Sequence, residues 1–182
     1  MAQFGLDFTN LERYLNSYAQ YIIRQAKGRL KKRSDTGNLA STLDYTVFKD
    51  KDGNRSIKFF SATYGEFVEK GVRGTEGRRT YIRISGKRGN SPYKYTSKMP
   101  PPATLEQWIL RKGITATGIS GKEIPTKSLA FAIAKTIQRK GIKATSHFTQ
   151  PLSWSMKTFK SEMIKNFGKD VLKNIILPFK SI

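Results

Sequence analysis

Cysteine is absent from the 182 residues, and histidine occurs once, at His147. A disulfide framework and a thiolate metal site are therefore impossible, and a histidine-built metal centre is close to excluded. Acidic residues are scarce, with 13 Asp and Glu against 34 Lys and Arg, a net charge of +21. No apolar run approaches membrane-spanning length, and residues 1–10 lack the basic segment and apolar core of a secretory leader. The expectation is a protein made in the cytosol, with no membrane contact, no metal and no cofactor.

What is present is enough apolar residue for a folded body: 37% hydrophobic and 12% aromatic. That fits a single domain over residues 1–182 with room for a long polar loop. So large a positive charge repels itself in a compact state, so a polyanion or a strongly acidic protein is expected as partner, with nucleic acid first among candidates.

Thr9 and Glu12 are spaced as a capping box, predicting a helix start. Leu11, Leu15, Tyr18, Ile22, Ala26 and Leu30 then recur at helical spacing, and Lys27, Arg29, Lys31, Lys32 and Arg33 place cations at the carboxyl end, where the helix dipole favours them. From Ser41 to Ala62 the pattern turns to alternation. Leu43, Tyr45 and Val47 share one face, Asp50–Asn54 forms a turn, and Ile57 and Phe59 alternate again, which predicts a β-hairpin.

Residues 70–103 are expected to be a long basic loop or extended hairpin. Arg73, Arg78, Arg79, Arg83, Lys87, Arg88, Lys94 and Lys98 crowd this stretch with Glu76 as its one acid, and few apolar residues anchor it. Tyr81, Ile82 and Ile84 can form a short strand, and Pro100–Pro102 are expected to stop regular structure. Thr104 and Gln107 make a second capping box ahead of a short helix ending at Gly113. Pro125 and Thr126 open another, with Leu129, Ile133 and Ile137 as its stripe, Ala130, Ala132 and Ala134 permitting close packing, and Gly141 as its stop. Leu152, Met156, Phe159, Met163, Phe167, Val171 and Ile175 space a long final helix. With no βαβ alternation the class is α+β: a first helix, an antiparallel hairpin or sheet, a basic loop, then C-terminal helices packed on the sheet.

Candidates for chemistry are few. Gly118–Lys122 has a glycine-rich look but lacks the spacer and the Ser or Thr of a phosphate loop. Glu66, Glu69 and Asp44 include carboxylates of the kind that hold divalent ions, yet Glu66 and Glu69 can equally pair with Lys70 and Arg73. His147 has no obvious nucleophile beside it, and Trp108 and Trp154 fall in apolar stripes as core residues. No catalytic residue and no enzyme activity are expected. The better contact residues are the eight cations of residues 70–98 with Tyr81, Tyr93 and Tyr95 among them, offering charge and ring faces to DNA or to a protein partner.

Three segments in order carry a family resemblance. Lys27–Arg33 followed by Thr36, Gly37, Asn38 and Leu39, then Tyr64–Gly71 with Val68, Glu69 and Gly71, then Phe148–Leu152 leading into the last helix, resemble the tail-completion or head-tail joining proteins of double-stranded DNA phages. The resemblance implies a structural virion protein of the phage neck. It implies a homo-oligomeric ring, six- or twelve-fold, whose partners are its own copies, the portal, adaptor or stopper, the tail tube protein and the genomic DNA passing through its lumen. The long basic segment and the helix after Thr104 depart from simpler members, so position in the neck stays open. The competing reading is a free basic nucleic-acid-binding protein of a mobile element, although the chain carries no helix-turn-helix, zinc-finger or RNA-binding signature.

Overall fold

Leu11, Leu15, Tyr18, Ala19, Ile22, Ala26 and Leu30 are all buried, and together they form the inner side of a 23-residue helix, α1 (Thr9–Lys31). The structure is a computed structural model describing residues 7–31 and 36–179. Lys32 and Arg33, assigned from the sequence to the helix end, lie outside the described residues. The fold is mixed α+β, and its contacts gather into two units. One runs to Gly65 and takes up Arg83–Gly86 and the chain from His147; the other comprises Glu66–Ile82 and Lys87–Ser146.

In the first unit α1 packs along α6 (Thr149–Phe179), because both carry apolar residues at helical spacing. Tyr18 packs at a tilt against Phe159, 4.3 Å between ring centroids, and its hydroxyl shares a 2.8 Å hydrogen bond with Ser155. The start of α1 differs from the capping box read at Thr9 and Glu12. The Thr9 hydroxyl and backbone N–H both donate to Asp7, and the Glu12 carboxylate pairs with Arg55. The free N–H groups of Asn10 and Leu11 donate instead to Asp170, which is fully buried on α6. A carboxylate from 160 positions away thus closes the helix end, a partner that local spacing cannot show.

The hairpin forms as expected from β1 (Asp44–Lys49) and β2 (Arg55–Phe60), in antiparallel register with Tyr45 opposite Phe59 and Val47 opposite Ile57. Asp50 sets the turn, its Oδ1 accepting from the N–H groups of Asp52 and Asn54. Thr36–Leu39 is not simply a turn into a strand: Gly37 takes a left-handed φ of 77° and one helical turn, α2 (Asn38–Ser41), follows. Trp154 is not core. It is 66% exposed on α6, with the Arg29 guanidinium 4.9 Å above its ring. The cause is that α6 is apolar on more than one side, and only one side meets α1.

In the second unit, α3 (Gly65–Lys70) leads through Gly71 to β3 (Val72–Arg73), which pairs antiparallel with β6 (Gly141–Ile142). β4 (Thr80–Ile82) and β5 (Arg88–Asn90) form a second hairpin, so among the described residues the strands make three separate two-stranded sheets. α4 (Pro102–Lys112) packs on α5 (Thr126–Lys140). Pro100–Pro102 were expected to stop structure; Pro102 starts α4 instead, since the first turn needs no N–H from it. The Thr104–Gln107 box therefore falls inside the helix, while Gly113 ends it with φ 60°, as expected. Ala130 and Ala134 of α5 are buried, but Ala132 is exposed, because the helical twist carries it away from α4.

Candidate nucleic-acid interface

Residues 70–98 lack the apolar side chains that would anchor a loop, yet the segment is held throughout by backbone hydrogen bonds. The N–H groups of Thr75, Glu76 and Gly77 donate to the Gln138 and Arg139 carbonyls at the end of α5. Arg73 donates to the Tyr93 carbonyl and accepts from Tyr95, both at 2.8 Å. Ser91, buried, donates through its hydroxyl to the Gly71 carbonyl at 2.6 Å, and Ile82 N–H donates to the Ser146 hydroxyl. Glycine makes this possible. A Cβ at Gly74 would overlap the Arg139 carbonyl, and one at Gly141 would overlap the Val72 carbonyl while holding φ at 76°.

The three tyrosines assigned from the sequence as contact residues are also packed against the protein. Tyr81, Tyr93 and Tyr95 are each half-buried. Tyr93 packs at a tilt against Phe67, 4.3 Å between ring centroids, and its hydroxyl meets Glu66, which also takes a hydrogen bond from Lys70. The Lys70 ammonium beside Glu66 holds that carboxyl below its ordinary range, and Glu66 in turn raises Lys70 and Tyr93. Lys70 lies 6.0 Å from the Tyr81 ring centroid. Burial raises Tyr95. Glu66 is thus committed to an ion pair, and Glu69 is buried at the end of α3, its carbonyl accepting from Ser146. Among the described residues no group of three acids, histidines or cysteines is placed to hold a metal.

The eight cations sort into two kinds. Arg73 and Arg79 are half-buried, with Arg79 Nη2 donating to the Gly141 carbonyl at 3.4 Å and both Nε atoms buried without a hydrogen-bond partner among the described residues. Arg78, Arg83, Lys87, Arg88, Lys94 and Lys98 are exposed, and none is in an ion pair among the described residues. Arg78 precedes β4, Arg83 and Lys87 flank the turn, and Arg88 begins β5, so four of the six sit on one hairpin. Such a surface of unpaired charge suits phosphate contact without base readout. Linear reading missed Arg139 and Lys140. The end of α5 brings them beside Gly74–Gly77, where Arg139 pairs with Glu76 at 3.4 Å; about sixty positions of chain separate them from that turn, so no local signal could mark them.

The family-motif residues fall on defined elements. Thr36–Leu39 spans the left-handed glycine and α2, with Leu39 buried. Tyr64 is about half exposed, Val68 and Glu69 lie on α3, and Gly71 has φ 68° where the chain enters β3. His147 is fully buried against Phe148, and Phe148–Leu152 forms the entry to α6 with Pro151 buried in its first turn. None of the family models, curated proteins or solved structures compared with this chain matches it.

Proposed function

We propose that the protein is a structural component of the neck of a double-stranded DNA phage, a homo-oligomeric ring that joins portal or stopper to tail around the DNA channel. The observation that carries this is the hairpin β4–β5 with its flanks: exposed Arg78, Arg83, Lys87, Arg88, Lys94 and Lys98, without a carboxylate partner among the described residues, on a segment tied down by backbone hydrogen bonds. A polyanion sliding through a channel calls for dispersed charge on a firm support, and a fixed backbone spares the entropy of ordering a loop. The three motif segments, in their order, support the same reading. So does the β1–β2 sheet, whose two outer edges are unpaired among the described residues and can accept a strand from a neighbour. The reading assigns the chain no catalytic role.

Replacing Arg78, Arg83, Lys87 and Arg88 together by Gln removes four of the six exposed cations and leaves half-buried Arg73 and Arg79 in place. The expected result is an unchanged circular dichroism spectrum and ring-shaped particles by electron microscopy, with infectious yield down at least tenfold. Wild-type yield from that variant, or a wild-type protein that stays monomeric and is missing from mature particles, overturns the proposal. A monomer or dimer that binds duplex DNA tightly, with affinity falling steeply in salt, points to the free nucleic-acid binder instead.

A further inference from the structure

Between α1, α6 and the β1–β2 hairpin, within the first unit, lies an open groove of about 850 Å³. Its walls are apolar, built from Leu15, Ile57, Leu152, Met156, Phe159 and Met163. Its rim carries Lys49, Asp52 and Arg55; Arg55 is spent on Glu12 at 2.9 Å, which leaves Lys49 and Asp52 to cancel. A wide apolar groove with a neutral rim is unusual on a chain of charge +21.

Copies carrying that charge repel one another, so a contact between them must use surface where cations are few. The outer side of α6 fails this condition. Its exposed Trp154, Ile164, Leu172 and Ile175 stand among Lys157, Lys160, Lys165, Lys169 and Lys173, all exposed, and two such surfaces would oppose like charges. The connection from Gly113 to Pro125 meets it, because its only charged residues are Lys122 and Glu123. This connection is also preformed. Gly118 N–H donates to the Lys122 carbonyl and Gly121 N–H to the Gly118 carbonyl, both at 2.9 Å, and Thr117 bridges Glu123 below. At its tip Ile119 is fully exposed, a β-branched apolar side chain held out on a tight turn.

We infer that the Gly118–Lys122 turn of one copy inserts Ile119 into the groove beside Met163 of the next. The groove has room for more than one side chain, so the turn enters with its glycines, whose lack of a side chain lets the backbone approach the wall. Knob and groove are different surfaces of one chain, so the contact is heterologous and propagates from copy to copy. Closure of that series into a ring rests on the function proposed above; the pairwise contact does not.

The absence of cysteine makes the test clean. Ile119→Cys and a longer, tagged Met163→Cys chain are mixed and oxidised, with Ile119→Cys plus Leu172→Cys as control. A mixed disulfide dimer at least tenfold above the control and above either variant alone supports the inference; control-level cross-linking overturns it. Ile119→Lys, shown folded by circular dichroism, is expected to lose the assembly that the wild type shows in sedimentation, and wild-type assembly of that variant overturns the inference. An apolar fluorescent dye bound in the groove is expected to be released on assembly; retention in full marks the groove as reserved for another occupant and overturns it. Rings without the mixed cross-link sink this contact and spare the ring. The mixed cross-link in open filaments alone upholds the contact and sinks the closed ring.

Discussion

The two units reach a folded state by different means. Of the buried apolar residues, Leu11, Leu15, Tyr18, Ala19, Ile22, Ala26, Leu30, Leu39 and Leu43 belong to the first unit, and only Ile109, Ala130 and Ala134 to the second. The charge balance runs the other way: 18 Lys and Arg against 8 Asp and Glu in the first, 16 against 5 in the smaller second. A segment with few large apolar side chains and many cations cannot rely on side-chain burial. It is held by N–H groups donated to the open carbonyls at the end of α5, where glycine lets two backbones touch. The cationic hairpin is therefore supported by main chain, which leaves its side chains free for a partner.

Gly74→Ala is the sharpest way to break this contrast. The added methyl meets the Arg139 carbonyl, a backbone atom that cannot swing aside, so the expected loss is upward of about 3 kcal/mol. Hydrogen exchange should show protection falling over residues 72–95 and 138–145 while the buried face of α1 keeps its protection. Equal loss in α1 would mean that the two units do not differ in what holds them.

Asp170→Ala tests a buried polar contact of the first unit. It strands the N–H groups of Asn10 and the buried Leu11, at an expected cost of about 2–3 kcal/mol. Asp170→Asn keeps one acceptor oxygen and should cost roughly half as much; chemical denaturation reads both. A neutral result for Asp170→Ala would show that the helix start is closed by solvent.

The smallest expected effect comes from acid. Hydrogen bonds from Lys173 and then from Thr9 hold the Asp7 carboxyl well below the usual carboxylate range. A depressed folded value means that its contribution is present above the ordinary Asp value of about 4 and is lost as pH falls below it. Asp7→Asn should flatten the loss of stability in acid without changing stability's pH dependence above pH 5. In the second unit Glu66 follows the same sign, through Lys70.

Where a single element carries its own periodicity, the chain was legible. The stripes of α1 and α5 and the alternation of β1 and β2 were read close to their observed bounds, because each turns one face inward and so repeats with the element's own period. The last helix, α6, was read at the right place but is apolar beyond the side that meets α1. The eight cations and three tyrosines stand out in the sequence as one basic, tyrosine-bearing stretch. Their division was not legible: Arg73 and Arg79 are half-buried where the chain meets β6, and Tyr93 packs on Phe67 of α3, contacts that no run of residues 70–98 records.

The sequence by itself determined the charge, the absence of any cysteine for a disulfide or a thiolate site, and the helices and hairpin whose apolar residues follow a local period. Only tertiary structure decided that two-residue strands pair, that proline opens α4, and that a buried aspartate closes α1 from the far end of the chain. Main-chain hydrogen bonds across long separations depend on geometry rather than side-chain identity, and they leave in the sequence little more than a glycine where two backbones must meet.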